Sequence, residues 1–148
     1  MAKPRANYSE SRLARNLVER GLVLGESLES LFQSCSESGG LLAEALVKGG
    51  FLSDWELSQV ASEVFNLPFL PVDVHSPADE ALVGVDPEFL KRWCLVPLTR
   101  NDDLLTVAIP GSISPQAHDE LCAMVNGQLA IVIGTVLSNR LWLETKFP

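Results

Sequence analysis

Apolar positions in the first seventy residues fall in short helical stripes, and the stripes come twice. Leu13, Ala14, Leu17 and Val18 share one side of a helix, and Gly21 and the pair Leu22-Val23 follow. Leu42, Ala43, Leu46 and Val47 repeat the stripe, followed by Gly50 and Phe51-Leu52. Leu13 to Leu42, Leu17 to Leu46, Gly21 to Gly50 and Leu28 to Leu57 are each offset by 29 positions. A fixed offset of this size marks a duplicated supersecondary unit. The unit predicted is helix, glycine turn, helix, the glycine taking the left-handed conformation that ends a helix cheaply. Leu28, Leu31, Phe32 and Cys35 form the stripe of the second helix, and Leu57, Val60, Ala61, Val64 and Phe65 its repeat. Ser9 is the expected cap of the first helix. Ser53-Asp54-Trp55-Glu56 reads as a capping box opening the fourth.

Beyond residue 66 the pattern changes. Pro68 stops helix, and Phe69-Leu70-Pro71-Val72-Asp73-Val74 reads as an extended piece whose prolines limit pairing. His75 to Asp86 reads as a polar connection. Asp86-Pro87 opens a helix through Trp93, Cys94–Leu98 is a strand, Arg100–Asp103 a turn, and Leu104–Ile109 a second strand of a hairpin. Ser114-Pro115 opens a helix to about Ala123, Gln128–Ile133 is a buried strand, and Val136–Phe147 a last helix with Leu137, Leu141 and Leu143 as its stripe. The expected fold class is α+β: an N-terminal bundle of two repeated helix-turn-helix units, then a small α/β subdomain of three to four strands covered by helices on one side. The expected organisation is a disordered tail over 1–8, the helical subdomain over 9–66, a linker over 67–80 and the α/β subdomain over 81–148.

Composition narrows the function. The chain has 148 residues and a net charge of −8, which speaks against nucleic acid as a partner. The charge is uneven. Residues 1–23 hold five basic residues against Glu10 and Glu19, a balance of +3 that leaves −11 for the remainder. An anionic ligand or acidic partner would therefore approach the first helix, whose polar face carries Arg12, Arg15, Asn16 and Glu19. A solvated face with an Arg15–Glu19 pair is the plain alternative. Cys35, Cys94 and Cys122 have neither disulfide nor zinc spacing and read as small core residues, which fits a reducing cytosol. No apolar run is long enough to span a membrane. There is no Gly-x-x-x-x-Gly-Lys-Ser/Thr loop and no Gly-x-Ser-x-Gly elbow. His118-Asp119-Glu120 lies on a helix where neighbours diverge, so no catalytic or metal site is expected.

The doubled Leu-x-x-x-Leu-Val-x-x-Gly pattern resembles the N-terminal domain of type II secretion and type IV pilus assembly ATPases, the GspE/MshE N-terminal type. So do Asn66-Leu67-Pro68-Phe69-Leu70, Asp86-Pro87-Glu88-Phe89-Leu90, Val96-Pro97-Leu98 and Leu104–Ile109. The resemblance implies a cytoplasmic, non-catalytic docking domain. Its partners would be an ATPase core or motor subunits and the cytoplasmic part of an inner-membrane platform protein, through which it would sit at the inner membrane. In one branch of the family the twin repeats bind cyclic-di-GMP, and the resemblance then implies a half-site of Arg12, Leu13, Arg15, Leu17, Gly21, Leu22 and Leu28, with arginine stacking on a base and leucines as an apolar floor. The chain departs from that branch. Ala14 and Ala43 stand in place of glycine, Leu41 in place of the second arginine, and Cys35 and Val64 in place of glutamines.

Overall fold

A computed structural model describes residues 8–72 and 77–148. The first four helices are α1 (Glu10–Glu19), α2 (Gly25–Ser38), α3 (Leu42–Lys48) and α4 (Asp54–Phe65). Ser9 caps α1, its hydroxyl accepting from the Arg12 N–H at 3.3 Å. Both halves of the Ser53–Glu56 capping box form. Two orphan donors of α4 are thereby satisfied by side chains. The two glycine turns are the same object. The Gly21 N–H donates to Val18 O and the Leu22 N–H to Leu17 O; 29 residues on, Gly50 donates to Val47 O and Phe51 to Leu46 O. Gly21 has φ 73° and Gly50 φ 75°, left-handed values at which a side chain would be strained.

The units interlock rather than stack. α1 packs on α4 and α2 on α3, contacts that exchange when the units are exchanged. Leu13, Leu17, Leu42, Leu46 and Leu57 are completely buried at this junction. At about 1.5–3 kcal/mol for each such side chain, this burial is the main force holding the bundle together. Gly111, on the loop that leaves the sheet, completes the junction. A Cβ there would sit 3.7 Å from Leu13 and Ala43 and 3.8 Å from Leu57. The adjoining Ile113 N–H donates to Tyr8 O, and Tyr8 stacks edge-on against Phe65. Tyr8 thus packs on the fold, where the sequence places it in the tail; residues 1–7 lie outside the described residues.

Asn66 ends α4 in the left-handed region, and the chain then touches the sheet at one residue. Phe69 bridges Ile133 in parallel: Leu70 N–H donates to Ile133 O, and Ile133 N–H to Pro68 O. Pro68 and Pro71 have no N–H to extend the ladder. Residues 73–76, the end of the expected extended piece and the His75 start of the connection, lie outside the described residues.

The second half contains a short 3-10 turn (Asp79–Leu82), α5 (Pro87–Trp93), β1 (Val96–Asn101), β2 (Leu104–Ile109), α6 (Pro115–Val125), β3 (Gln128–Ile133) and α7 (Val136–Lys146). The sheet order is β1-β2-β3; β1 is antiparallel to β2, and β2 parallel to β3 through α6. Gly127 lets that crossover close, since a Cβ there would sit 2.0 Å from Asp103 O, the acceptor of the Gln128 N–H.

Three expectations need correcting. Cys94 is not in a strand: it ends α5 at φ 58°, and β1 begins at Val96 and runs on through Arg100 and Asn101 into a two-residue turn at Asp102-Asp103. The chain needs a left-handed residue there, and the cysteine takes that role because its small side chain fits the core. The sheet is not covered on one side only. Val107, Ala108 and Ile109 are consecutive and all completely buried, and successive strand residues face opposite ways. The last helix buries Val136, Asn139 and Leu143, while Leu137 and Leu141 are 55% and 68% exposed.

Candidate docking face

The outer face of α1 carries Arg12, Arg15, Asn16 and Glu19, which with Ser9 and Ser11 line a shallow depression of about 400 Å³. Each candidate residue can now be placed. Leu13 and Leu17 are completely buried and Leu28 nearly so; they lie beneath the face and set the position of α1 rather than offering it a floor. Arg12, Arg15, Gly21 and Leu22 are at the surface. Arg12 Nη2 donates to Val64 O at 3.0 Å, and its guanidinium lies 5.2 Å from the centre of the Phe65 ring. It therefore reaches the last turn of α4, where carbonyls lack helical partners. Arg15 and Glu19 form no ion pair with each other among the described residues; Arg20 on this side pairs with Glu63 at 2.6 Å.

The equivalent face of α3 is not open. Glu44, 29 positions after Arg15, pairs with Arg140 of α7. Arg140 Nη1 also donates to Lys91 O at 2.6 Å, so one guanidinium joins α3, α5 and α7. Burial opposes its charge, but the hydrogen bond and charge of Glu44, helped by Cys94 and Glu144, together outweigh burial and keep the guanidinium more basic than usual. The α4 carboxylate of Asp54 accepts from the backbone N–H of Val136 at 2.8 Å and of Leu137 at 3.2 Å, placing negative charge at the start of α7. Ser58 Oγ donates to Gly134 O at 2.9 Å. The residues of unit one at these two positions are Gly25 and Glu29, neither of which is buried.

Asn139 completes the seat of α7. It is completely buried, and its side-chain amide donates to Cys94 O at 2.9 Å and Ala108 O at 3.1 Å. Its signal was present as the helical spacing of Val136, Asn139 and Leu143, hidden by the polarity of the middle residue. The nearby Cys94 thiol is pushed up to about 12, chiefly by burial, with Glu44 and Asp54 opposing the thiolate further. A thiol held protonated is a poor nucleophile. Among the described residues there is no cluster of metal-ligating side chains.

The MshEN domain family matches residues 65–136. The type IV pilus assembly ATPase PilB of Thermus thermophilus is 30% identical over 117 residues, 79% of this chain and 12% of PilB. The N-terminal domain of XpsE shares the fold with a TM-score of 0.72 and 23% identity over 97% of each chain. A second crystal form of that domain gives 0.61 and 25% over 97% of this chain and 98% of the other. These likenesses are consistent with a GspE/MshE-type N-terminal domain. A structure of MshE with cdg matches this domain with a TM-score of 0.66 and 20% identity over 91% of this chain and 98% of the chain in that structure. The MshEN match begins at Phe65, so it rests on the sheet half of this chain and leaves the doubled helices, Arg12 to Leu28 included, outside it. No helix among the described residues is long and apolar enough to cross a membrane.

Proposed function

We propose that this domain is a non-catalytic docking and regulatory module of a type II secretion or type IV pilus motor, which binds the cytoplasmic part of the inner-membrane platform protein. The observation that carries the reading is the likeness of nearly the whole chain to the N-terminal domain of XpsE, together with a sequence that holds no phosphate-cradling loop. The domain would act in the cytoplasm and reach the membrane through its partner. Pull-down of the platform's cytoplasmic region by the purified chain tests this. Association at tens of micromolar or tighter is expected, and none at that concentration would refute it.

A second reading, that of a cyclic-di-GMP receptor, is favoured by the match to MshE with cdg and by Arg12 and Arg15 on an open face. One arginine-bearing unit offers half the expected contacts, because Leu41, Cys35 and Val64 supply no polar anchor in the other positions. Calorimetry with the dinucleotide on the wild type and on Arg12→Ala decides. Heat in the first and none in the second supports the reading, and no heat in either ends it.

A further inference from the structure

The chain shows on one of its own units how a helix seats on this kind of face. α7 lies on α3, where its Arg140 pairs with Glu44 and the side chain of Glu44 is left only 15% exposed. Val47, beside Glu44, is half-buried there. α1 presents the equivalent face with no described element covering it. Arg15 stands at the position of Glu44 and is exposed, and Val18, at the position of Val47, is 41% exposed. The backbone under the two faces is alike: the same buried leucines lie beneath each, and the same glycine turn ends each helix. What differs is the sign of the central charge.

We infer that the α1 face is a helix-docking surface whose occupant is an amphipathic helix of a partner protein carrying a carboxylate where α7 carries Arg140. The inference rests on the docking reading above and adds the surface and the chemistry of the helix that fills it. The half-exposed Val18 gives the helix an apolar contact. Arg15 and Arg12 select a carboxylate over an ammonium or guanidinium, because like charges brought together on desolvation are strongly unfavourable. The net +3 of residues 1–23, against −11 for the remainder, confines this preference to one end of a chain that otherwise repels acidic partners.

The probe is a peptide with the sequence of residues 135–147 and Arg140→Glu, stapled through positions 137 and 141, which face solvent on α7. Titrated into the isotopically labelled full chain, it is expected to shift the amide resonances of α1 around Arg12, Arg15 and Val18. The same stapled peptide with Arg140 retained is expected to bind that face at least tenfold more weakly. Arg15→Glu in the protein, a surface change checked for retained helicity by circular dichroism, is expected to reverse the preference. Shifts confined to other elements, no shifts with either peptide, or a preference that Arg15→Glu leaves unchanged would each overturn the inference. Pull-down of the platform's cytoplasmic region by Arg15→Glu separates the two ideas. Loss of association supports both. Full retention refutes the α1 surface while the docking reading stands. Failure of even the wild type to associate removes the docking reading, and the peptide titration still decides the surface.

Discussion

The two helical units have the same buried leucines and the same glycine turns, yet one is anchored in the fold and the other faces solvent. Among the described residues, three polar side-chain links fasten unit two to the sheet half: Asp54 on the start of α7, Ser58 on Gly134 O, and Glu44 on Arg140. Unit one has Gly25, Glu29 and Arg15 at those positions, and α2 buries only Leu28 fully. Duplication supplied two copies of one surface. A few polar residues make one copy an internal joint, and the other copy is an external face. Apolar residues decide that the units pack, and polar ones decide which copy the rest of the chain covers.

The largest effect should show the two copies to be alike. Leu17→Ala and Leu46→Ala each remove a completely buried side chain from the junction and should each cost about 3 kcal/mol in urea unfolding. A difference above about 1 kcal/mol between them would break the equivalence of the cores. Asn139→Leu should cost about 2 kcal/mol despite its similar size, because it strands the carbonyls of Cys94 and Ala108 without a donor. The same variant should broaden or shift the resonances of unit two before those of α1, since α7 rests on α3. Next, Ser58→Ala should cost about 1 kcal/mol, whereas Glu29→Ala at the equivalent position should stay within about 0.5 kcal/mol. Equal costs would remove the contrast between joint and face.

The smallest effect concerns Glu10. Burial raises its pKa, and a hydrogen bond from the Leu42 backbone N–H opposes the rise only in part. A folded-state pKa above the unfolded one means that the folded chain binds the proton more readily. Stability therefore falls as pH climbs from the ordinary glutamate range through the raised value of Glu10. Glu10→Gln should flatten that part of the stability–pH curve, and thermal unfolding across mildly acidic to neutral pH would show it. A curve unchanged by the substitution would mean that Glu10 is better solvated than its position implies.

Much of this was legible in the sequence because it depends on local periodicity. The 29-residue offset, the capping box and the Asp86-Pro87 helix start each sit within one helix or turn. The parts that were not legible depend on partners far along the chain. Leu137 and Leu141 read as the buried side of α7 because they are apolar, but that helix turns Asn139 inward to meet two carbonyls 31 and 45 residues away. Cys94 read as strand because nothing nearby signals a left-handed cysteine. Of the proposed half-site, the helix, its arginines and the core-forming stripe of Leu13, Leu17 and Leu28 were readable; that these leucines leave no apolar floor for a ligand was not, because the same stripe serves a floor or a core until the packing around it is known.

Gly111 has a mechanical consequence. It joins the end of the central strand to the meeting point of both units, where an added Cβ would meet Leu13 of one and Ala43 and Leu57 of the other. The loop at Gly111 thus holds the end of β2 close to both helical units, and lengthening it would loosen that joint.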